Sequence, residues 1–369
     1  MSASKKKRYD KNSPEAKALI DEIMQGAFMK EGTMAAFPTC FPGVTIPIPA
    51  DESHITALGV SGDGMVYGGT SGRRAHLFVA IFHAVTGVVF DRGTVTHGDQ
   101  SVAVCCGKKN FAACVNGPAG GRVLTAPLEP LPFDLIQEWE FQRPALQDLG
   151  KVDGQRIAHA VVEPSKGLMV GVTEGHLFTV DIDAGKLEMT GEVPGRGQIG
   201  LGSKGGFYGQ DGSSHLWRYQ VGSRQLHRRT VKLPKGQWER FPLRWARDHQ
   251  TGLLYTADGK GTLFSFDESR GFSAALGATM LAPVGPMAVT RDGRLFGACG
   301  DGIAKLFCYN PQRREVKNLG VAVSTLERRR YGYVFGDAVT GRDGQIIFGE
   351  DDDLGHLWLY FPKIEAARR

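Results

Sequence analysis

His76, His97, Tyr208 and Arg240 are residue types that together could remove the proton next to a carboxylate. An arginine beside the carboxylate would neutralise it and acidify that proton. A neutral histidine or tyrosine would take the proton, and its partner would protonate the departing oxygen. The reaction such a set can run is β-elimination from a uronate sugar. Arg74, His159, His215, Trp238, Arg330 and Tyr331 are the types that would bind the substrate. Arginine grips carboxylate or sulfate bidentately, and aromatic rings stack on sugar faces. No fixed spacing defines this set, so it depends on a fold that gathers distant residues at one place.

Other chemistry has less behind it. His76, His176, His215 and His356 each stand just before Leu-Phe or Leu-Trp. Residues kept in a repeat register usually satisfy a neighbouring loop, as buried polar groups do. The run Glu350–Asp353 is oxygen-rich, as Ca²⁺ loops are, but its spacing matches no EF-hand, and a solvated acidic loop is the expectation. A structural divalent metal, Ca²⁺ or Zn²⁺, is thus the one cofactor with candidate ligands, and no metal ligand set is assigned. Glu239 and Asp337, were they to converge, would point to glycoside hydrolysis instead. No GxSxG elbow, P-loop, HExxH or Rossmann fingerprint occurs. The six cysteines form no CxxC pair and read as buried free thiols.

The elements that must position these residues form a repeat. An alternating strand, a DG-type turn, a strand rich in glycine, a loop and an aromatic strand recur from Ile55 to Phe361. The aromatic strands are expected to start near His76, Arg122, His176, His215, Thr262, Lys305 and His356, at separations of 39 to 54 residues. That period is close to the ~40–50 residues of a four-stranded propeller blade. The expected fold is all-β: a seven-bladed β-propeller with a short N-terminal helix and an N-terminal strand closing the last blade. The helix is expected over Pro14–Gln25, capped by Ser13, with Leu19, Ile20 and Ile23 as its apolar face. The closing strand is expected at Val44–Ile48, where Pro47 and Pro49 suit an outer edge. The divisions expected are 1–43 for tail and helix, 44–362 for the propeller and 363–369 for a C-terminal tail. The insertion Leu128–Gln142 reads as a short helix or a lid-like loop. In such a fold the leading loops and the loops between second and third strands share one face over the axis, which is where a site is expected.

The chain has 369 residues, 50 of them glycine, and a net charge of +5 concentrated in Lys5–Arg8 and Arg328–Arg330. This is globular composition without the broad basic stripe of a nucleic-acid binder. No run approaches the ~20 apolar residues of a membrane span. The expected partner is therefore an anionic carbohydrate, with no nucleic acid and no membrane, bound by a monomer. The basic run near the start is followed by no apolar segment, so a cytoplasmic protein is expected from the chain as it stands. A secreted or periplasmic one follows if a leader has been removed.

The repeats DGMVYGGTSGRRAHLF, GGFYGQDGSSHLW and DGQIIFGEDDDLGHLWLYF resemble those of secreted bacterial seven-bladed propellers, and the chain is similar among these to propeller polysaccharide lyases such as ulvan lyases. The resemblance implies a carbohydrate-active enzyme of the polysaccharide-degrading kind, a lyase cleaving a uronate-containing glycan. In those lyases histidine, tyrosine and arginine act over the channel; here His76, His97, Tyr208 and Arg240 would carry those roles. The rival expectation is a non-catalytic propeller that binds a glycan or protein.

Overall fold

The computed structural model describes residues 12–25, 27–38, 48–83, 86–128, 145–152, 155–193, 196–212, 214–239, 241–324 and 331–363. Helix α1 (Pro14–Gln25) forms where expected. The Ser13 hydroxyl accepts the Ala16 N–H at 3.1 Å, satisfying one of the N–H groups a helix start leaves open. Of the expected apolar face, Leu19 is half-buried and the Ile23 side chain lies outside the described ones. Ile20 is 53% exposed, and the helix is tied down through Glu22, which takes Lys305 Nζ at 2.5 Å and Asn318 Nδ2 at 3.1 Å. A short helix α2 (Ala27–Glu31) follows, with Phe28 buried and Glu31 paired to Lys317. The insertion expected at Leu128–Gln142 lies outside the described residues from Glu129 onward.

Beyond Ser53 the described chain is nearly all antiparallel strand. Sheets of four sequential strands recur, as in Ile157–Glu163, Leu168–Thr173, His176–Asp181 and Lys186–Glu192. Two such groups are joined into an eight-stranded sheet by one pair, Ser71 opposite Gln100. The GDG and RDG turns behave as their chemistry requires: Gly64, Gly293 and Gly344 have φ of 90°, 80° and 85°. A second device explains the glycine-then-aromatic pattern. Gly68, Gly171, Gly209 and Gly297 lie directly beneath the rings of Phe78, Phe178, Trp217 and Phe307, which occupy the space a Cβ would fill.

Strand β1 (Gly32–Pro38) comes first. The leading strands of the successive sheets are β2 (His54–Val60), β3 (Gln100–Cys106), β4 (Ile157–Glu163), β5 (Arg196–Leu201), β6 (Ala246–Arg247), β7 (Val284–Val289) and β8 (Phe335–Thr340). Each packs against the next, and β8 packs against β2, so they form a ring around an axis. The arrangement is propeller-like. Apolar side chains of adjacent sheets interleave: Tyr208, Leu216, Trp245, Leu254, Phe264 and Phe266 form one such cluster.

The closing strand is not Val44–Ile48. It is β1, which pairs antiparallel with β9 (His356–Pro362), Gly32 opposite Pro362 and Pro38 opposite His356. Met34 and Ala36 bury against Trp358 and Tyr360 on one face, while Phe37 meets Phe82 at 5.1 Å on the other. Val44–Pro47 lie outside the described residues, and Ile48 is buried but not in a strand. Two prolines in three residues deprive that segment of the N–H groups a ladder needs.

The first and last sheets also meet at His54, whose two ring nitrogens lie 3.0 Å from Asp351 and 3.1 Å from Asp353. The Asp351 hydrogen bond, helped by both charges against the cost of burial, holds its pKa up at about 9. The folded pKa exceeds the unfolded one, so this contribution is complete below about 6.5 and is lost as pH rises through about 9. His54→Gln should flatten that part of the stability curve, measured by denaturant melts across the range. Separately, Gly171→Ala should cost about 1–3 kcal/mol by forcing Phe178 aside; an unchanged denaturation midpoint would show that the ring is not held there.

Candidate functional site

Leading strands present one unpaired edge to the ring, and their backbone groups need partners. Neighbouring strands supply them through side chains. Asp337 on β8 accepts the Leu58 N–H of β2 at 2.8 Å, and Thr56 donates to Ser101 C=O at 2.6 Å. His159 Nδ1 on β4 accepts the Ile199 N–H of β5 at 3.1 Å. Gln198 accepts the Trp245 N–H at 2.8 Å, and Thr340 donates to Val289 C=O at 2.7 Å. A β-bulge near the start of β2, β3, β4, β5, β7 and β8 re-aims the residues that follow it. His159 and Asp337 are the first paired residues after their bulges.

These strands surround an axial cavity of about 260 Å³, to which all seven contribute. His159, Gln198 and Asp337 line it at the end where the strands begin. Burial pushes the Asp337 carboxyl up to about 6, against the pull of the Leu58 and Ala338 N–H groups and of Arg244. Burial, then the Arg244 charge, pushes His159 down to about 3. His159 is thus a neutral ring whose Nδ1 lone pair is used, which leaves Nε2–H as a donor. Arg244, just before β6, is half-buried, and its charge acts on His159 of β4 and Asp337 of β8. It forms no ion pair with a described residue, and burial lowers its own pKa. A half-buried cation without a contact carboxylate is open to pairing with an anion.

The structure separates most of the residues expected to act together. His76 is 3% exposed and does not open onto the axis; Nε2 lies 2.6 Å from Glu52, while Nδ1 lies 3.3 Å from Thr94 and 3.5 Å from Asp91. Burial opposes its charge, but Asp91 and Glu52 raise its pKa. Arg74 serves the same buried carboxylate at 2.8 Å, so this cluster anchors the turn Ala50–Glu52. His97 is exposed in a turn at φ 60°, its carbonyl against Gly117. Tyr208 packs between sheets with its ring 4.8 Å from Phe266. Burial and the nearby Glu268 charge raise its pKa. Trp238 is also in that core, donating to Pro234 C=O at 2.8 Å. His215 sits beside Ser214 at 2.8 Å. Tyr331 stacks on Tyr333 at 6.3 Å ahead of β8. Arg240 and Arg330 lie outside the described residues. Of the expected binding residues that are described, His159 lines the cavity.

The carboxylates of 350–353 are engaged by neighbours. Asp351 and Asp353 hold His54, and Glu350 lies 3.0 Å from His356 Nδ1, both fully buried. Among the described residues no three ligand-type side chains are grouped for a metal ion. The five described cysteines are free and buried. Glu239 is exposed, whereas Asp337 lies in the cavity, so the two are in different surroundings. Sequence reasoning missed Arg244 and Gln198. The signal was LRWAR at 243–247, which puts arginines where other leading strands carry alanine or valine.

No family model matches the chain, and no curated protein matches it. Solved structures do. The extracellular domain of the two component system BT4673 from B. thetaiotaomicron is 13% identical, with a TM-score of 0.56 over 84% of this chain. The chain spans 38% of that protein's length. Virginiamycin B lyase from Staphylococcus aureus, in a catalytically inactive form with quinupristin, is 9% identical, with a TM-score of 0.58 over 89% of this chain and 99% of that one. At such identities the likeness reaches the fold alone, which is propeller-like, and lends nothing to the ulvan-lyase resemblance. No helix among the described residues is long and apolar enough to cross a membrane.

The Asp337 carboxyl should be visible in stability measurements. Its folded pKa of about 6 exceeds the usual 3.8, so the folded state holds the proton more tightly, and stability falls as pH rises between those values. His159 acts in the opposite sense, stability rising from about 3 to 6.5. Comparing Asp337→Asn with the parent isolates the first effect: the variant should gain about 1–3 kcal/mol relative to the parent on going from pH 4 to 6. A constant difference between the two would contradict a buried, backbone-clamped carboxyl.

Proposed function

We propose that β2 to β8 lead the seven blades of a closed propeller and that the funnel along its axis binds a small organic anion without transforming it. The observation that carries this reading is Arg244, half-buried, without a described ion-pair partner, and felt by His159 and Asp337. Arg244 and the His159 Nε2–H offer charge and a hydrogen bond to an oxyanion.

Binding is favoured over proton abstraction because His159, His76, Tyr208 and Asp337 are occupied, which leaves His249 as the cavity histidine whose ring makes no hydrogen bond to a described residue. The single lone pair of neutral His159 accepts the Ile199 N–H. Both His76 nitrogens face oxygens. Tyr208 is buried between sheets beside Glu268. Asp337 has lone pairs to spare, but each oxygen is fixed by a backbone N–H. A second reading, β-elimination from a uronate glycan, draws on the stacked Tyr331–Tyr333 pair, where 38%-exposed Tyr333 offers a face for a sugar ring.

Calorimetric titration with carboxylates, glucuronate among them, tests both. Arg244→Gln should weaken binding about tenfold or more, the effect expected of a lost charge-assisted hydrogen bond. Uronate polymers should yield no unsaturated product. Undiminished binding by Arg244→Gln would refute the funnel reading, and an Arg244-dependent rise in unsaturated-product absorbance would establish the elimination.

A further inference from the structure

At the end where the leading strands finish, the axial cavity opens into a wider mouth of about 550 Å³. Val60, Cys106, Val162, Val289 and Thr340, each the last or next-to-last residue of its leading strand, line both chambers and form a neck between them. His249, two residues beyond the end of β6, joins this neck. Of the described side chains there, three are polar. The Thr340 hydroxyl donates to Val289 C=O, and burial pushes the Cys106 thiol far up, so it stays protonated. His249 is the third. It is exposed, so a ligand entering by the wide mouth reaches it, and its ring makes no hydrogen bond to a described residue. Desolvation in the neck, then the Arg247 charge, lowers its pKa against the pull of Asp248. At neutral pH the imidazole therefore has one N–H to donate and one lone pair to accept with.

Charge around His249 is balanced. Glu163 and Asp248 both act on Arg247, and in the mouth Lys108 and Arg291 stand with Asp63 and Asp248. An ion gains little at such a place. Above the neck the wall is apolar, with Val104, Val161, Leu201 and Val339 around it. Met287 and Trp245 line the same cavity, and a thioether and an indole favour an aromatic guest over an aliphatic one. The cavity, about 260 Å³, exceeds the roughly 150 Å³ of an apolar cavity that holds benzene, so a substituted six-membered ring fits.

We propose that the neck is a further binding site, for an uncharged phenol, whose hydroxyl donates to the unprotonated ring nitrogen of His249 while its ring lies in the apolar cavity with Met287 and Trp245. One placed polar group in an apolar pocket fixes a ligand's orientation. A phenol suits a neutral imidazole, because its O–H, with a pKa of about 10, is a stronger donor than an aliphatic hydroxyl. The site lies at the other end of the channel from His159 and does not rest on Arg244.

Calorimetric titration of the full chain with 4-ethylphenol, 4-ethylanisole and 4-ethylcyclohexanol tests this. The anisole keeps the ring without the donor, and the cyclohexanol keeps the hydroxyl without the aromatic ring. The phenol should bind at least about fivefold tighter than either, the factor expected of one hydrogen bond or one set of aromatic contacts. His249→Phe, which keeps a ring of similar bulk, should bring the phenol down to the anisole level and leave the anisole unchanged. Arg244→Gln should leave all three unchanged. Equal affinity for phenol and anisole, equal affinity for phenol and cyclohexanol, phenol binding indifferent to His249→Phe, or no phenol binding would each overturn the proposal, while the carboxylate titration judges the anion reading separately. Loss of phenol binding in Arg244→Gln would move the phenol to the other end of the channel and overturn it as well. Circular dichroism checks folding. Should His249→Phe not fold, the nitrogen-15 signal of the His249 ring in the parent chain decides: it should move when 4-ethylphenol is added, and an unmoved signal would overturn the site.

Discussion

The inner edge of each leading strand sets the terms for the rest of the molecule. A strand edge turned toward an axis carries N–H and C=O groups that neither a sheet ladder nor bulk water can fully satisfy. Here the next strand's side chains do so: Asp337 for Leu58, His159 for Ile199, Gln198 for Trp245, Thr340 for Val289. Each is a polar side chain that must sit at the cavity wall to reach its target. Closing the ring therefore places ionisable groups on the axis, whatever further use is made of them. Glycine permits the close approach that this needs, as where Gly59 meets Val104 C=O and Gly336 meets Ile55 C=O.

That double duty decides what chemistry is open to the funnel. A histidine that spends its one lone pair on a backbone N–H can donate but not abstract, and a carboxylate pinned by two N–H groups is held in one pose. The side chains left with spare capacity include Arg247 and His249 on the cavity wall and Arg244 just before it. Recognition of an anion follows more directly from this inventory than bond breaking does. The histidine cluster at His76 shows the other outcome, in which Glu52, Asp91 and Arg74 absorb every polar atom into the fold.

Local chemistry was legible in the sequence. Ser13 and Pro14 start a helix, and strands begin at His176, His215, Thr262, Lys305 and His356 as expected, because caps and glycine turns are decided by a few adjacent residues. Non-local choices were not. Whether β9 would pair with Gly32–Pro38 or with a later segment depends on packing against Trp358 and Tyr360, hundreds of residues away. Tyr208 and Trp238 carry polar handles that suggested a channel mouth, but which side of a strand faces the neighbouring sheet is fixed by register, and both are buried. His159 and Asp337 reach the axis because a bulge shifts the alternation at their strands' starts, and one extra residue is invisible to a count of period two.

The state of His159 joins the structural and functional halves of this account. Nitrogen-15 NMR of its imidazole reads the tautomer and charge directly. At about pH 5, between its shifted value of about 3 and the usual 6.5, the ring should be neutral, with the proton on Nε2 and an unprotonated Nδ1. A protonated ring at that pH, or a proton on Nδ1, would contradict both the clasp to Ile199 and the donor that the funnel is said to offer.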